Sequence, residues 1–287
     1  MDLTNLVGAI TIALGGTIIF LLIARTWTAL VQTTASTRFP HSIMLEAAQR
    51  FRDEHEKLGH EQSVYLVSGL VFTVVFSLFY LLPPHGLLDG VPRWQLIIVL
   101  AMVALGAVFA IYRLLAISVA RRQLLFVRDA NMAVGHALQK LGSNNNRVFH
   151  DVPCGPHTID HVVVGLHGVY AVSVIARKPG KVKRARLRGE QLNFSNSKNA
   201  VSVVRSGGKS ARLAREIRKL TGHEIRVRSV IAIPGWNIDS QQSAEYLLVN
   251  ERNIAMLTGW KEQNDYLMNE DLEAIHEMLT ERCTRFQ

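Results

Sequence analysis

Charge is missing from three long stretches of this sequence. Residues 3–24, 62–88 and 94–112 hold no Asp, Glu, Lys or Arg. Each is about the 20 residues that a helix needs to cross a bilayer. A soluble core seldom supplies three such runs in succession, so membrane spans are expected at about 5–27, 63–83 and 94–118. With no charged residue inside them, the runs offer no ion pathway. The first run has no Lys or Arg before it and no small-residue cleavage site after it, which argues against a cleaved signal peptide. Cysteine is scarce too. Cys154 and Cys283 lie far apart in sequence, and reduced thiols are expected of both. Cys154 does not combine with His157, His161 and His167 into any zinc-ligand spacing, so no metal site is expected there.

What charge there is falls unevenly around the spans. Only Asp2 precedes the first, whereas Arg25, Arg38, Arg50, Arg52 and Lys57 follow it. The Pro83-Pro84-His85-Gly86 turn between the second and third has only Arg93, and Arg113, Arg121, Arg122 and Arg128 follow the third. The positive-inside rule then places the N-terminus outside and the C-terminal domain in the cytoplasm, as in a bacterial inner-membrane protein. Residues 1–120 read as a membrane domain and 121–287 as a cytoplasmic domain. The loop over 28–62 carries an amphipathic pattern at Met44, Ala47, Ala48, Phe51 and Leu58, expected to lie at the interface or on the soluble domain. Gly15-Gly16 and Gly106 suit close helix packing, and so a place in a larger membrane assembly.

The cytoplasmic part reads as α/β. A helix expected over 119–141, following on from the third span, ends at Asn144-Asn145-Asn146. Strands are expected over 147–152, 159–164, 169–175, 181–188, 191–194, 226–233 and 245–249, and helices over 204–220, 252–259 and 269–283. A mixed sheet with helices on its faces is the fold class that results.

Basic residues concentrate in one segment. Residues 177–228 hold 16 Lys or Arg against 3 Asp or Glu, a net of +13, while the whole chain carries +9 and everything else sums to −4. Arg177, Lys178, Lys181, Lys183, Arg184, Arg186 and Arg188 fall on an expected hairpin, and Arg205, Lys209 and Arg212 on one face of a helix. This is the pattern expected of an anion-binding surface, with anionic lipid headgroups, DNA or an acidic protein as partners. Phe194 is its one aromatic, too few for a single-strand stacking platform. Gly207-Gly208-Lys209-Ser210 is no phosphate loop, because Val203 stands where such a loop needs glycine.

Three stretches in order, Arg147-Val148-Phe149-His150-Asp151-Val152-Pro153, Ile159-Asp160-His161-Val162-Val163-Val164-Gly165 and Gly168-Val169-Tyr170-Ala171-Val172, resemble the opening of a nuclease-related domain (NERD). Leu220-Thr221-Gly222, Val230-Ile231-Ala232-Ile233-Pro234-Gly235-Trp236 and Leu247-Leu248-Val249-Asn250 continue the likeness. The resemblance implies a fold similar to the PD-(D/E)xK, restriction-endonuclease-like nucleases, in a family that often carries membrane spans. In that chemistry carboxylates hold Mg²⁺, which activates water, and a lysine stabilises developing charge. The family's first Asp is matched by Asp160. Its Glu-x-Lys is matched by Ser173-Val174-Ile175, its helical Glu by Asn131, and its Gln by Arg205. A lone carboxylate is a poor Mg²⁺ site. The expectation is therefore a membrane-tethered, catalytically inactive domain, a binding or scaffold component without a cofactor. The alternatives are an active nuclease using Asp160 and Mg²⁺, or a structural subunit of a larger membrane complex.

Overall fold

The computed structural model describes residues 43–81, 92–142, 146–243, 245–259 and 266–285. Its elements in chain order are β1 (Ile43–Met44), α1 (Gln49–Leu81), α2 (Arg93–Gln139), β2 (Arg147–Cys154), β3 (His157–Gly165), β4 (Gly168–Val174), β5 (Arg184–Arg188), β6 (Gln191–Phe194), β7 (Val201–Ser202), α3 (Val204–Thr221), β8 (Val227–Ala232), β9 (Asn237–Gln242), β10 (Tyr246–Val249), α4 (Met256–Gly259), α5 (Asn269–Cys283) and β11 (Thr284–Arg285). They fall into two compact units, one of residues 1–39 and 54–123, the other of 40–53 and 124–287.

In the first unit the expected span over 5–27 lies outside the described residues. The one over 63–83 is helical through Leu81, with side chains described as far as Phe72. Among the described residues a single helical stretch, Ala101–Gln139, rather than three, is long and apolar enough to cross a membrane. Leu105, Val108, Phe109, Tyr112 and Leu115 along it are exposed. Arg113 lies over the Tyr65 ring and donates to its hydroxyl at 3.3 Å. A Cβ at Gly106 would stand 3.2 Å from the Phe72 ring, so α1 and α2 approach closely there. Of the amphipathic pattern expected within 28–62, Phe51 and Leu58 lie on α1, which runs unbroken into the second apolar run, whereas Met44 lies on β1 and Ala47 and Ala48 in the turn before α1. No Gly or Pro interrupts residues 49–58 to end it earlier.

The second unit is an α/β domain built on a mixed five-stranded sheet, β10-β8-β4-β3-β2. β10, β8 and β4 run parallel, and β4, β3 and β2 are antiparallel to one another in turn. β3 is buried from Ile159 to Gly165 and β8 along its whole length, as strands covered on both faces must be. On one face Phe149, Ile159, Val162 and Val164 pack with Leu213 and Ile217 of α3 and Ile275 and Leu279 of α5. Opposite them Val163, Tyr170 and Val172 meet Val134 and Leu138 at the end of α2. A four-stranded sheet, β7-β6-β5-β9, adds a third core of Leu187, Leu192, Phe194 and Trp236. β5 alternates exposed Arg184, Arg186 and Arg188 with buried Ala185 and Leu187, the period of a half-buried strand. Helix α3 ends where Gly222 turns left-handed, at φ +75°, a conformation that favours glycine.

Candidate functional site

The site grows from the β2–β3 hairpin. Cys154 faces His157 across the turn at Gly155-Pro156, and this register sets His150 opposite His161. One step on, between the pairs His150–His161 and Val152–Ile159, regular pairing lapses, and Asp151 and Asp160 occupy the two strands at that unpaired step. Asp151 has a left-handed φ of +49°, which Asp tolerates better than most residues. Both carboxylates are buried, at 5% and 6% exposure.

Arg50, in the first turn of α1, joins them. Its backbone N–H donates to Asp151 Oδ2 at 3.0 Å and its guanidinium Nη2 to Asp160 Oδ1 at 2.9 Å. The other oxygen of Asp160 accepts the Val174 N–H at 2.8 Å. β3 and β4 stop pairing at His161 and Val172, so the carboxylate takes the place of the next β3 carbonyl. The segment that carries Arg50 is held down at its other end. β1 pairs with β11, the Leu45 N–H donates to the Cys283 carbonyl at 2.8 Å, and Ala48 turns at φ +66° into α1. Burial pushes the Asp151 carboxyl above the usual range, against the lowering effect of Arg50.

The two histidines meet Nδ1 to Nδ1 at 2.8 Å. Gln139 Nε2 lies 3.4 Å from His150 Nε2. If the amide donates there, His150 carries its proton on Nδ1 and donates it to His161, with both rings neutral. Burial pushes His150 down to about 4, helped by His136. It pushes His161 down to about 3, helped by His150. A Cβ at Gly135 would stand 2.6 Å from Ala47 Cβ and 3.5 Å from His161 Cε1, so only glycine lets α2 sit this close.

The positions matched to catalytic residues are only partly brought together. Ser173 is buried on β4, one residue before the Val174 N–H that Asp160 holds. The side chain of Ile175 packs into the third core. Asn131 is buried on α2 and donates to the carbonyl of Val127 in its own helix at 2.9 Å. Arg205 is exposed in the first turn of α3. Mg²⁺ would require free carboxylate oxygens. Both oxygens of Asp160 are engaged, and Ser173 and Ile175 bring none. Among the described residues no three or more His, Cys, Asp or Glu are grouped to hold a metal ion. The residues present do not fit Mg²⁺.

The basic residues divide. Lys178, Lys181, Lys183, Arg184, Arg186, Arg188 and Arg205 are exposed. Arg186 forms an ion pair with Asp239, and Arg177 lies over the Phe194 ring at 5.0 Å. The other two residues of the α3 face are tied inward. Lys209 Nζ donates to the Thr158 carbonyl at 2.7 Å, and Arg212 pairs with Glu216, which also takes Arg282.

Fold and site together define an α/β domain with a buried pair of carboxylates closed by an arginine. Over residues 128–234 it matches the family model of the nuclease-related domain, NERD. That match covers Asn131, Asp160, Ser173, Ile175 and Arg205, and Arg50 lies outside it. No curated protein and no solved structure matches the chain. Sequence reasoning missed Arg50, Asp151 and His150. The hairpin centred on Gly155-Pro156 could have paired His150 with His161 and Asp151 with Asp160. Nothing local points to Arg50, which is 110 residues from Asp160.

Proposed function

We propose that this chain is a membrane-tethered nuclease-related domain that binds rather than cuts, a scaffold component at the cytoplasmic face of a membrane. In this reading three spans, at about 5–27, 63–83 and 94–118, carry a cytoplasmic domain of restriction-endonuclease-like fold, with the N-terminus outside. The exposed apolar side chains of α2 would face lipid. The contact with an anionic partner, whether DNA, lipid headgroups or an acidic protein, is made by Lys181, Lys183, Arg184 and Arg188. One observation carries the loss of cutting: Asp160, the remaining acid of the catalytic set, spends one oxygen on Arg50 and the other on a backbone N–H. Each oxygen already accepts a hydrogen bond, and the matched positions Ser173 and Ile175 add no carboxylate to help hold a metal.

The test uses the full chain in lipid nanodiscs, incubated with duplex and single-stranded DNA and Mg²⁺ or Mn²⁺. The expected result is intact DNA. Cleavage that disappears in Asp160→Ala would establish an enzyme and overturn this reading.

A further inference from the structure

We propose that Arg50 is a built-in cation that closes a two-carboxylate site against divalent metal, with residues 43–50 as the plug that carries it. The inference concerns what occupies Asp151 and Asp160, and it stands whether or not the domain cuts DNA. Two buried carboxylates close enough to raise each other's pKa are costly to keep ionised together without a nearby positive charge or a metal ion. Here the charge comes from within the chain. Arg50 gives its N–H to Asp151 and its guanidinium to Asp160. The plug is anchored at its far end by the β1–β11 pairing and by the Leu45–Cys283 hydrogen bond. The charge lies on the guanidinium, which bonds Asp160, while Asp151 is bonded by the neutral backbone N–H of the same residue. Removing the guanidinium while keeping the backbone N–H leaves two buried carboxylates without their cation. A small hard cation can take its place, using carboxylate oxygens and water.

The probe is Mn²⁺, followed by the loss of its free-ion electron paramagnetic resonance signal, with the full chain in detergent. Wild type, Arg50→Met and Arg50→Met/Asp160→Asn are compared. Arg50→Met is expected to take up one Mn²⁺ per chain at least about tenfold more tightly than wild type, the size of effect that one neighbouring charge exerts. Its thermal midpoint is expected to rise with Mn²⁺, and Asp160→Asn to abolish both effects. A folded Arg50→Met chain that binds Mn²⁺ no better than wild type overturns the proposal, as does a wild type that already binds one ion. If Arg50→Met loses its near-ultraviolet dichroism, Arg50→Met/Asp151→Asn decides. Recovery of the fold shows that unbalanced carboxylate charge was the defect, and failure to recover overturns the idea.

Discussion

Asp160 performs a backbone's task with a side chain. Its carboxylate continues the β3–β4 ladder beyond the last regular pair and takes the Arg50 guanidinium on the opposite side. Asp160→Ala therefore leaves a buried N–H and a guanidinium without acceptors. Arg50 is more than a third exposed, at 37%, so its share is discounted for solvent. The expected loss is about 2–3 kcal/mol in chemical unfolding. Asp160→Asn, which can still accept from Val174, should lose about half as much. The histidine pair makes a pH prediction. Both rings have folded pKa values below the ordinary 6.5, at about 4 for His150 and about 3 for His161. The unfolded chain then binds more protons below pH 6.5, so stability is full above that value and falls as pH drops towards 4 and 3. The slope approaches about 1.4 kcal/mol per pH unit for each ring. His150→Gln should remove about one proton from that slope. Asp151 works in the opposite sense at lower pH, because its raised carboxyl is least costly when protonated.

Helix α3 tests how the elements are assembled. Gly207 and Gly208 are neighbours in its first turns, yet a Cβ on Gly208 meets nothing within 4 Å, while one on Gly207 would stand 2.4 Å from the Tyr246 hydroxyl. Gly208→Ala should raise stability by about 0.5–1 kcal/mol through helix propensity alone. Gly207→Ala should lose about 1–2 kcal/mol as Tyr246 is displaced, both by urea unfolding. Elements of this kind were open to sequence reasoning wherever the apolar pattern had a clear period. Val204–Thr221 and its glycine stop, the alternation of β5 and the buried runs of β3 and β4 all speak locally. β9, Asn-Ile-Asp-Ser-Gln-Gln, does not, because a polar edge strand has no apolar face to betray it. β1 and β11 are two-residue strands held by each other across the length of the chain. The site divides along the same line. Asp160, Ser173 and Ile175 could be placed by motif, whereas Arg50 acts through long-range packing that no window reveals.

At the scale of the molecule, the +13 of residues 177–228 is not one uniform surface. Lys209 and Arg212 are spent on Thr158 and Glu216, whereas Arg184 and Arg188 of β5 are exposed and able to meet an anion. This division can be measured with the full chain in nanodiscs of neutral lipid, titrated with duplex DNA at several salt concentrations. Each phosphate contact contributes about −0.9 to the slope of log K against log salt. Arg184→Gln with Arg188→Gln should therefore flatten the slope by about 2 and leave stability nearly unchanged, since both side chains are exposed. Lys209→Gln should do the reverse, because its ammonium ties α3 to the carbonyl of Thr158 on β3. The slope should stay as in wild type, and stability should fall by about 1 kcal/mol. A Lys209 substitution that flattens the slope as much as the arginine pair would mean that the lysine leaves Thr158 for phosphate. The anion surface would then extend from β5 to α3.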